Sequence, residues 1–388
     1  MKENGFAYRG LDNELSWEAQ QMRDSVRALV EDRFMPHITR YYMDGGFPME
    51  FVSEMAGCGF FGIKTSTEYM GAGLGSHEYG VVCRELEASD SGLRSFVSVQ
   101  NSLVMFPIEK FGSEAQKRHW LPLLATGQAL GAFGLTGPEG GSDPENMKTH
   151  AKKVGGDYVI NGAKQFITNG SVAHIIIIWA KLDGTVRGFL VEKGTPGFEA
   201  LPMKDKLSLR ASDTAELFLN DVRIPAENIM PGTLEHKRSY LACLNEARFG
   251  IAWGAVGAAR FCAEAALSYV KDRVLFGGSL AGKQLTQQKL VYMDEALETA
   301  QRRALDIARM KDAGTLSARD ISRAKMENVS MACDVARLAR RMMGANGIMA
   351  DYHVMRHMCN LEAVYTYEGT DDVHMLARGR AITGINAF

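Results

Sequence analysis

Tyr158-Val159-Ile160-Asn161-Gly162 divides the chain. An aromatic and two β-branched residues run into Asn-Gly, a pair that accepts positive φ and so favours a tight turn. The surrounding texture agrees. Residues 127–231 are rich in Gly, Thr and β-branched residues, with turn signals at short intervals. Residues 175–181, 187–192 and 216–219 read as further strands, and Ile224-Pro225 closes the region. On both sides the apolar spacing becomes helical. Before it, helices are expected from Ser16 to Pro36, over 49–58, 76–89 and 93–111 (with Pro107 a kink or break), and over 113–124. After it, three long helices are expected over 240–273, 285–313 and 317–343, and shorter ones over 352–365 and 370–382. The expectation is a multidomain α+β chain: a helical domain over 1–128, a β domain over 129–233 and a helical bundle over 234–388.

The composition narrows the functional classes. A formal net charge of -2 argues against a dominant nucleic-acid or membrane-surface role. The six cysteines are scattered without a C-x-x-C pair, which reads as reduced thiols in a cytosol-like compartment. Met1-Lys2-Glu3-Asn4-Gly5 has no apolar core, and no apolar run is membrane-sized, so a cytoplasmic location is expected. No His, Cys, Asp and Glu cluster has metal-ligand spacing; His353 and His357 lack the glutamate of a zincin and read as surface or packing residues.

Four stretches could carry chemistry. Tyr367-Glu368-Gly369-Thr370 places a carboxylate on a glycine turn just before a helix-start signal, with Thr370 as N-cap and Asp371 and Asp372 in the first turn. Phe133-Gly134-Leu135-Thr136-Gly137-Pro138-Glu139-Gly140-Gly141-Ser142 is a loop whose N–H groups and hydroxyls suit a phosphate or a polar ring edge. It is neither a Walker A loop nor a Rossmann fingerprint. Phe166-Ile167-Thr168 is either a core strand or a stacking platform for a planar cofactor. Glu87 and Arg94, followed by Ser95, share a helix face if one helix runs through them; the pair is either a solvated ion pair or a grip for a substrate carboxylate.

Together these stretches, with Asn245 to Gly254, Arg273 to Gly277 and Asn360 to Ile385, resemble the acyl-CoA dehydrogenase family. They are most similar to its glutaryl-CoA dehydrogenases. The resemblance implies a helical N-terminal domain, a middle β barrel and a C-terminal four-helix bundle, assembled as a homotetramer (a dimer of dimers). It implies FAD as cofactor, an acyl-CoA as substrate and an electron-transfer flavoprotein as electron acceptor. Glu368 would be the α-proton base. Phe133, Leu135, Thr136, Gly141, Ser142, Phe166, Ile167, Thr168, Thr370 and Asp372 would line the flavin. Arg273, Phe276, Gln284, Arg341, Gly344 and Ala345 would reach the flavin of a neighbouring subunit. Ser142, Leu241, Leu244, Asn245, Arg248, Tyr367 and Gly369 would hold the thioester.

In the glutaryl enzymes the residues matching Arg94 and Ser95 bind the distal carboxylate, with Glu87 arranging them. The implied reaction is oxidation of glutaryl-CoA and decarboxylation to crotonyl-CoA. The unpaired Arg94 cation that a monocarboxylic substrate would leave argues the same way. The alternatives are a non-decarboxylating glutaryl-CoA dehydrogenase and a dehydrogenase for another short, branched, cyclic or carboxylated acyl thioester. The chain departs from the family pattern at Gly137, Phe166, Ala345 and Asp371; the last adds negative charge expected near the flavin phosphates.

Overall fold

The structure, a computed structural model, describes residues 5–387. The leader reading at Met1 to Asn4 lies outside them. Seven helices form the first part: α1 (Trp17–Leu29), α2 (Ile38–Asp44), α3 (Val52–Gly57), α4 (Ser76–Ser89), α5 (Ser91–Ser98), α6 (Phe106–Phe111) and α7 (Glu114–Ala125). Ser16 caps α1 by accepting from Ala19 N, and Ser113 and Gln116 cap α7 reciprocally. The expected segment over 93–111 is not broken at Pro107. A π-helical stretch, Val99–Met105, precedes α6, and Pro107 sits in the first turn of α6. The wider turn relieves the clash between the proline ring and the preceding carbonyls. The break comes earlier, at Asp90, which ends α4 and caps α5 through Gly92 N at 2.7 Å.

The middle part is a curled seven-stranded sheet: β1 (Gly131–Gly134), β2 (His150–Val154), β3 (Asp157–Thr168), β4 (Ile175–Leu182), β5 (Thr185–Glu192), β6 (Phe198–Pro202) and β7 (Thr214–Pro225). Its order is β1-β4-β2-β3-β7-β6, with β5 on the other edge of β4. β1 and β4 pair in parallel, Gly131 against Ile175. Ile175, Ile177 and Trp179 face α9 and the π-helical stretch, while Ile176, Ile178 and Ala180 face the interior of the sheet. Burial on both faces explains why β4 reads as a continuous apolar run. β1 also corrects the loop reading of residues 133–143: Phe133 and Gly134 are strand, and the loop begins at Leu135. With glycine at both ends β1 has little strand propensity of its own; its pairing to β4 makes it a strand.

The last part is helical: α8 (Gly232–Glu235), α9 (Tyr240–Asp272), α10 (Gln284–Asp312), α11 (Ala318–Met342), α12 (Val354–Thr366) and α13 (Asp371–Thr383). A hairpin, β8 (Val274–Leu275) and β9 (Gly278–Ser279), joins α9 to α10. α9 packs between α11 and α4. The α4–α9 crossing is close enough that a Cβ on Gly257 would lie 1.8 Å from Arg84 O. Beside it, buried Glu85 accepts from Arg27, Arg84 and Arg260 at 2.8, 2.8 and 2.5 Å. Burial pushes that carboxyl up, but the three guanidiniums outweigh it and hold it far below the ordinary range. Among the described residues no helix is long and apolar enough to cross a membrane.

Candidate active site

The turn between α12 and α13 carries Glu368 in the left-handed region, φ 55°, followed by Gly369 at φ 95°. For an L-residue this conformation costs about 1–3 kcal/mol and persists only where the surroundings enforce it. Three elements do so. Arg248 Nε of α9 donates to Glu368 O at 2.7 Å. Lys325 Nζ of α11 donates to Gly369 O at 2.8 Å and Tyr365 O at 3.1 Å. Thr370 caps α13 by accepting from Val373 N at 3.2 Å. Arg248 is itself steadied by Asn245 Oδ1 at 3.2 Å.

The backbone of the turn is thus held, while the side chain of Glu368 is left free. Its Oε2 is buried and meets no donor, and among the described residues its backbone N–H meets no protein acceptor. Burial pushes its carboxyl up to about 7, against the pull of Arg248, Lys325 and Arg94. A desolvated, unbonded carboxylate titrating near neutrality has the properties of a general base.

Beside this turn, Tyr367 OH accepts from Arg94, whose guanidinium carbon lies 5.6 Å from the Tyr367 ring centroid. Arg94 Nε donates to Glu87 Oε2 at 2.6 Å, across the Asp90 break. The pair is not solvated: Arg94 is 2% exposed and Glu87 fully buried. Burial alone would lower the Arg94 pKa, but Glu87 and Tyr367 outweigh it and the guanidinium stays charged. Glu87 therefore neutralises Arg94 before any substrate arrives, so the argument from an unpaired cation does not hold. What remains is Arg94 Nη1, which has no protein acceptor among the described residues. Ser95 is buried on the next position of α5.

A second group assembles where the sheet meets α9. Phe133, Leu135, Tyr240, Cys243 and partly buried Leu244 belong to one apolar cluster. Tyr240 OH donates to Glu145 Oε1 at 2.5 Å, tying α9 to the loop after β1, on which Gly141 and Ser142 are exposed. Leu241 is 38% exposed near the start of α9. Gln165 N donates to Thr136 O at 2.9 Å, and Lys164 Nζ to Leu135 O at 2.9 Å, so the end of β3 backs the same loop. There Phe166 departs from the core reading. It sits at an irregularity in the β3–β7 pairing with φ 58° and is 61% exposed, while Ile167 is buried and Thr168 half-buried. An exposed aromatic held in that conformation suits stacking on a planar ring.

A third group lies elsewhere. Arg273, the C-cap of α9, is 25 positions beyond Arg248, about 37 Å along the helix. Asn346 donates to Tyr269 OH at 3.0 Å, and Leu280 N to Arg273 O at 2.8 Å. These bonds gather Arg273, Phe276, Gln284, Arg341, Gly344 and Ala345 at the opposite end of the bundle from Glu368. All six are exposed, Phe276 to 91%. Asp372 is exposed in the first turn of α13. Asp371 accepts from Ser330 Oγ of α11 at 3.3 Å.

Lys325 and His374 had escaped the sequence reading. His374 is buried against the turn, and burial, aided by Arg248, pushes its imidazole down to about 3. Lys325 could have been found, since it stands on the apolar stripe Ile321, Ala324, Val329 and Ala332. A cavity of about 240 Å³ lined by Lys64, Tyr79, Asn101, Ser102, Glu109 and Glu246 does not include Glu368.

The chain matches three family models: acyl-CoA dehydrogenase N-terminal domain over 16–128, middle domain over 132–222 and C-terminal domain over 238–383. It is 35% identical to a short-chain-specific acyl-CoA dehydrogenase of Clostridium acetobutylicum, over 94% of this chain and 98% of that one. Among solved structures it is similar to a glutaryl-CoA dehydrogenase of Mycobacterium smegmatis, with TM-score 0.95 and 47% identity over 98% of each chain. A glutaryl-CoA dehydrogenase of the same organism in complex with FADH2 gives TM-score 0.94 and 44% identity over 97% of each chain. The chain belongs to the acyl-CoA dehydrogenase family.

Proposed function

We propose that this acyl-CoA dehydrogenase uses FAD to oxidise glutaryl-CoA between Cα and Cβ and then decarboxylates the product to crotonyl-CoA. The observation that carries the substrate is Arg94, buried within reach of the Glu368 turn through Tyr367 and with Nη1 unpartnered. A guanidinium edge without an acceptor, on a side chain otherwise buried, suits a carboxylate oxygen at the far end of a short acyl chain. Likeness to the two glutaryl-CoA dehydrogenase structures supports the same substrate.

The residues fit a flavin. Exposed Phe166 and the loop from Leu135 to Ser142 would hold its ring side, with Ile167 and Thr168 beside them and Thr370 and Asp372 at the start of α13. Arg273, Phe276, Gln284, Arg341, Gly344 and Ala345 would serve the flavin of a neighbouring copy in a tetramer, since they cannot reach their own turn. When bound, FAD supplies the acceptor for the β-hydrogen, which leaves with its electron pair. Glu368 Oε2 takes the α-proton, and the double bond forms between Cα and Cβ. The Glu368 N–H, free of protein acceptors, would donate to the thioester oxygen as charge develops there. Leu241, Leu244, Asn245 and Gly369, with Arg248 supporting the turn, would line the thioester path, and Ser142 its entrance.

Anaerobic titration with a panel of acyl-CoA thioesters tests this reading. Glutaryl-CoA should bleach the flavin and butyryl-CoA should not. Equal bleaching by both would remove the specificity claim. Product masses separate crotonyl-CoA from glutaconyl-CoA. Glu368→Gln should keep FAD and lose turnover by about 10²–10⁴-fold; near-normal activity would take Glu368 out of the mechanism. A second reading, a short monocarboxylic substrate, is favoured by the Glu87–Arg94 pair, which needs no substrate charge, and by likeness to the short-chain enzyme. Arg94→Ala decides between them: loss confined to the dicarboxylic thioester supports the first reading, and no loss supports the second. Electrons would pass on to an electron-transfer flavoprotein.

A further inference from the structure

We propose that Lys325 is the positioning residue of the catalytic turn: its ammonium ties the carbonyls on either side of Glu368 and so fixes both the aim and the charge environment of that carboxylate. The proposal rests on Glu368 being the base. Lys325 is 1% exposed on α11, among Ile321, Ala324 and Val329. An ammonium on an apolar stripe is costly unless its donors are used. Here they reach across to Tyr365 O, the last full turn of α12, and to Gly369 O, the residue after Glu368. One side chain therefore spans the whole left-handed turn and pins both its ends. Arg248 grips the middle, at Glu368 O.

Beyond that apolar stripe, charged and titratable groups face Lys325 from each element packed on it. Arg248 from α9 repels it; Glu368 from the turn, Asp371 from α13 and Cys333 from its own helix favour its charge; His374 of α13 packs on the same turn. Burial, then Arg248, brings its amine down to about 7. Lys325 thus gains and loses its charge in the same range as Glu368, and its charged form favours the carboxylate. Asp371 acquires a role in this arrangement: its charge faces Lys325 and sustains the cation.

The test uses Lys325→Met, Lys325→Gln and Lys325→Arg as holoenzymes, with FAD content and thermal unfolding measured alongside kcat, KM and their pH profiles. With FAD bound, Lys325→Met should lower kcat by about 10–100-fold through misplacement of the base. KM should change far less. The acid limb of kcat/KM should move up by about one pH unit, as expected for loss of a facing opposite charge. Lys325→Gln, which keeps donors without charge, should show the same shift of the limb with a smaller loss of kcat, and it carries the test if the Met variant does not fold. Lys325→Arg should return the limb to its wild-type position. Folded Met or Gln variants with a wild-type limb and kcat overturn the proposal, as does an Arg variant that binds FAD but keeps the shifted limb. Glu368→Gln, run in parallel, separates the two claims. If it is active the base assignment fails, whatever Lys325 does; if it is inactive and the Lys325 variants behave as wild type, only the positioning role fails.

Discussion

At the residue scale the site depends on one carboxyl freed from every local partner. The Glu368 carboxyl is raised from the ordinary carboxyl range to about 7 by burial, and the proposed base would act only when ionised. Turnover should therefore rise with pH through about 7 and fall away below it, which a pH profile of kcat/KM measures directly. Stability has the opposite sign. A raised carboxyl favours the protonated fold, so its contribution is full below the ordinary carboxyl range and is lost as pH rises through about 7. Glu368→Gln should accordingly gain thermal stability over the wild type as pH increases. Asp371 shows the limit of reading residues singly. The pattern shows only an added negative charge; the fold gives that charge a hydrogen bond from Ser330 of α11.

At the scale of elements, the crossing of α4 and α9 sets the position of Arg94. A Cβ on Gly254 would lie 1.9 Å from Glu87 Oε2 and 3.1 Å from Arg94 Nε. Gly254→Ala should cost about 1–3 kcal/mol of stability by overpacking. It should also raise KM for a dicarboxylic thioester more than for a monocarboxylic one. Chemical denaturation and paired kinetics check both effects; equal KM changes would separate Gly254 from substrate choice. The helices themselves were legible, because α10 and α11 repeat their apolar residues at helical spacing, α9 is an apolar run far too long for a strand, and Ser317 is an N-cap residue type. Strands β1, β2 and β6 were not, because four- and five-residue segments with glycine, lysine or proline owe their conformation to their partners.

At the scale of the whole molecule, the exposed end of the bundle lies away from its own Glu368. Phe276 at 91% exposure and Leu285 at 70% flank Arg273 and Gln284. If this end completes the flavin site of a second copy, Arg273→Ala should weaken FAD retention while leaving the pH midpoint of the remaining holoenzyme unchanged. Flavin content after gel filtration, with mass by light scattering, measures this. Full FAD occupancy in a monomeric variant would contradict a shared site.

The sequence by itself determined the order of helical, sheet and helical segments, the caps at Ser16, Ser317 and Thr370, and the carboxylate at Glu368. Each is a local property, fixed by spacing, propensity or the residue type itself. Only the tertiary structure decided that Glu87 and Arg94 are paired and buried, that Phe166 is exposed, and that Lys325 reaches the Glu368 turn. Those facts depend on which helices cross and how closely. An isolated stretch has no burial, and burial is what raises the carboxyl of Glu368, lowers the amine of Lys325 and gives both their chemistry.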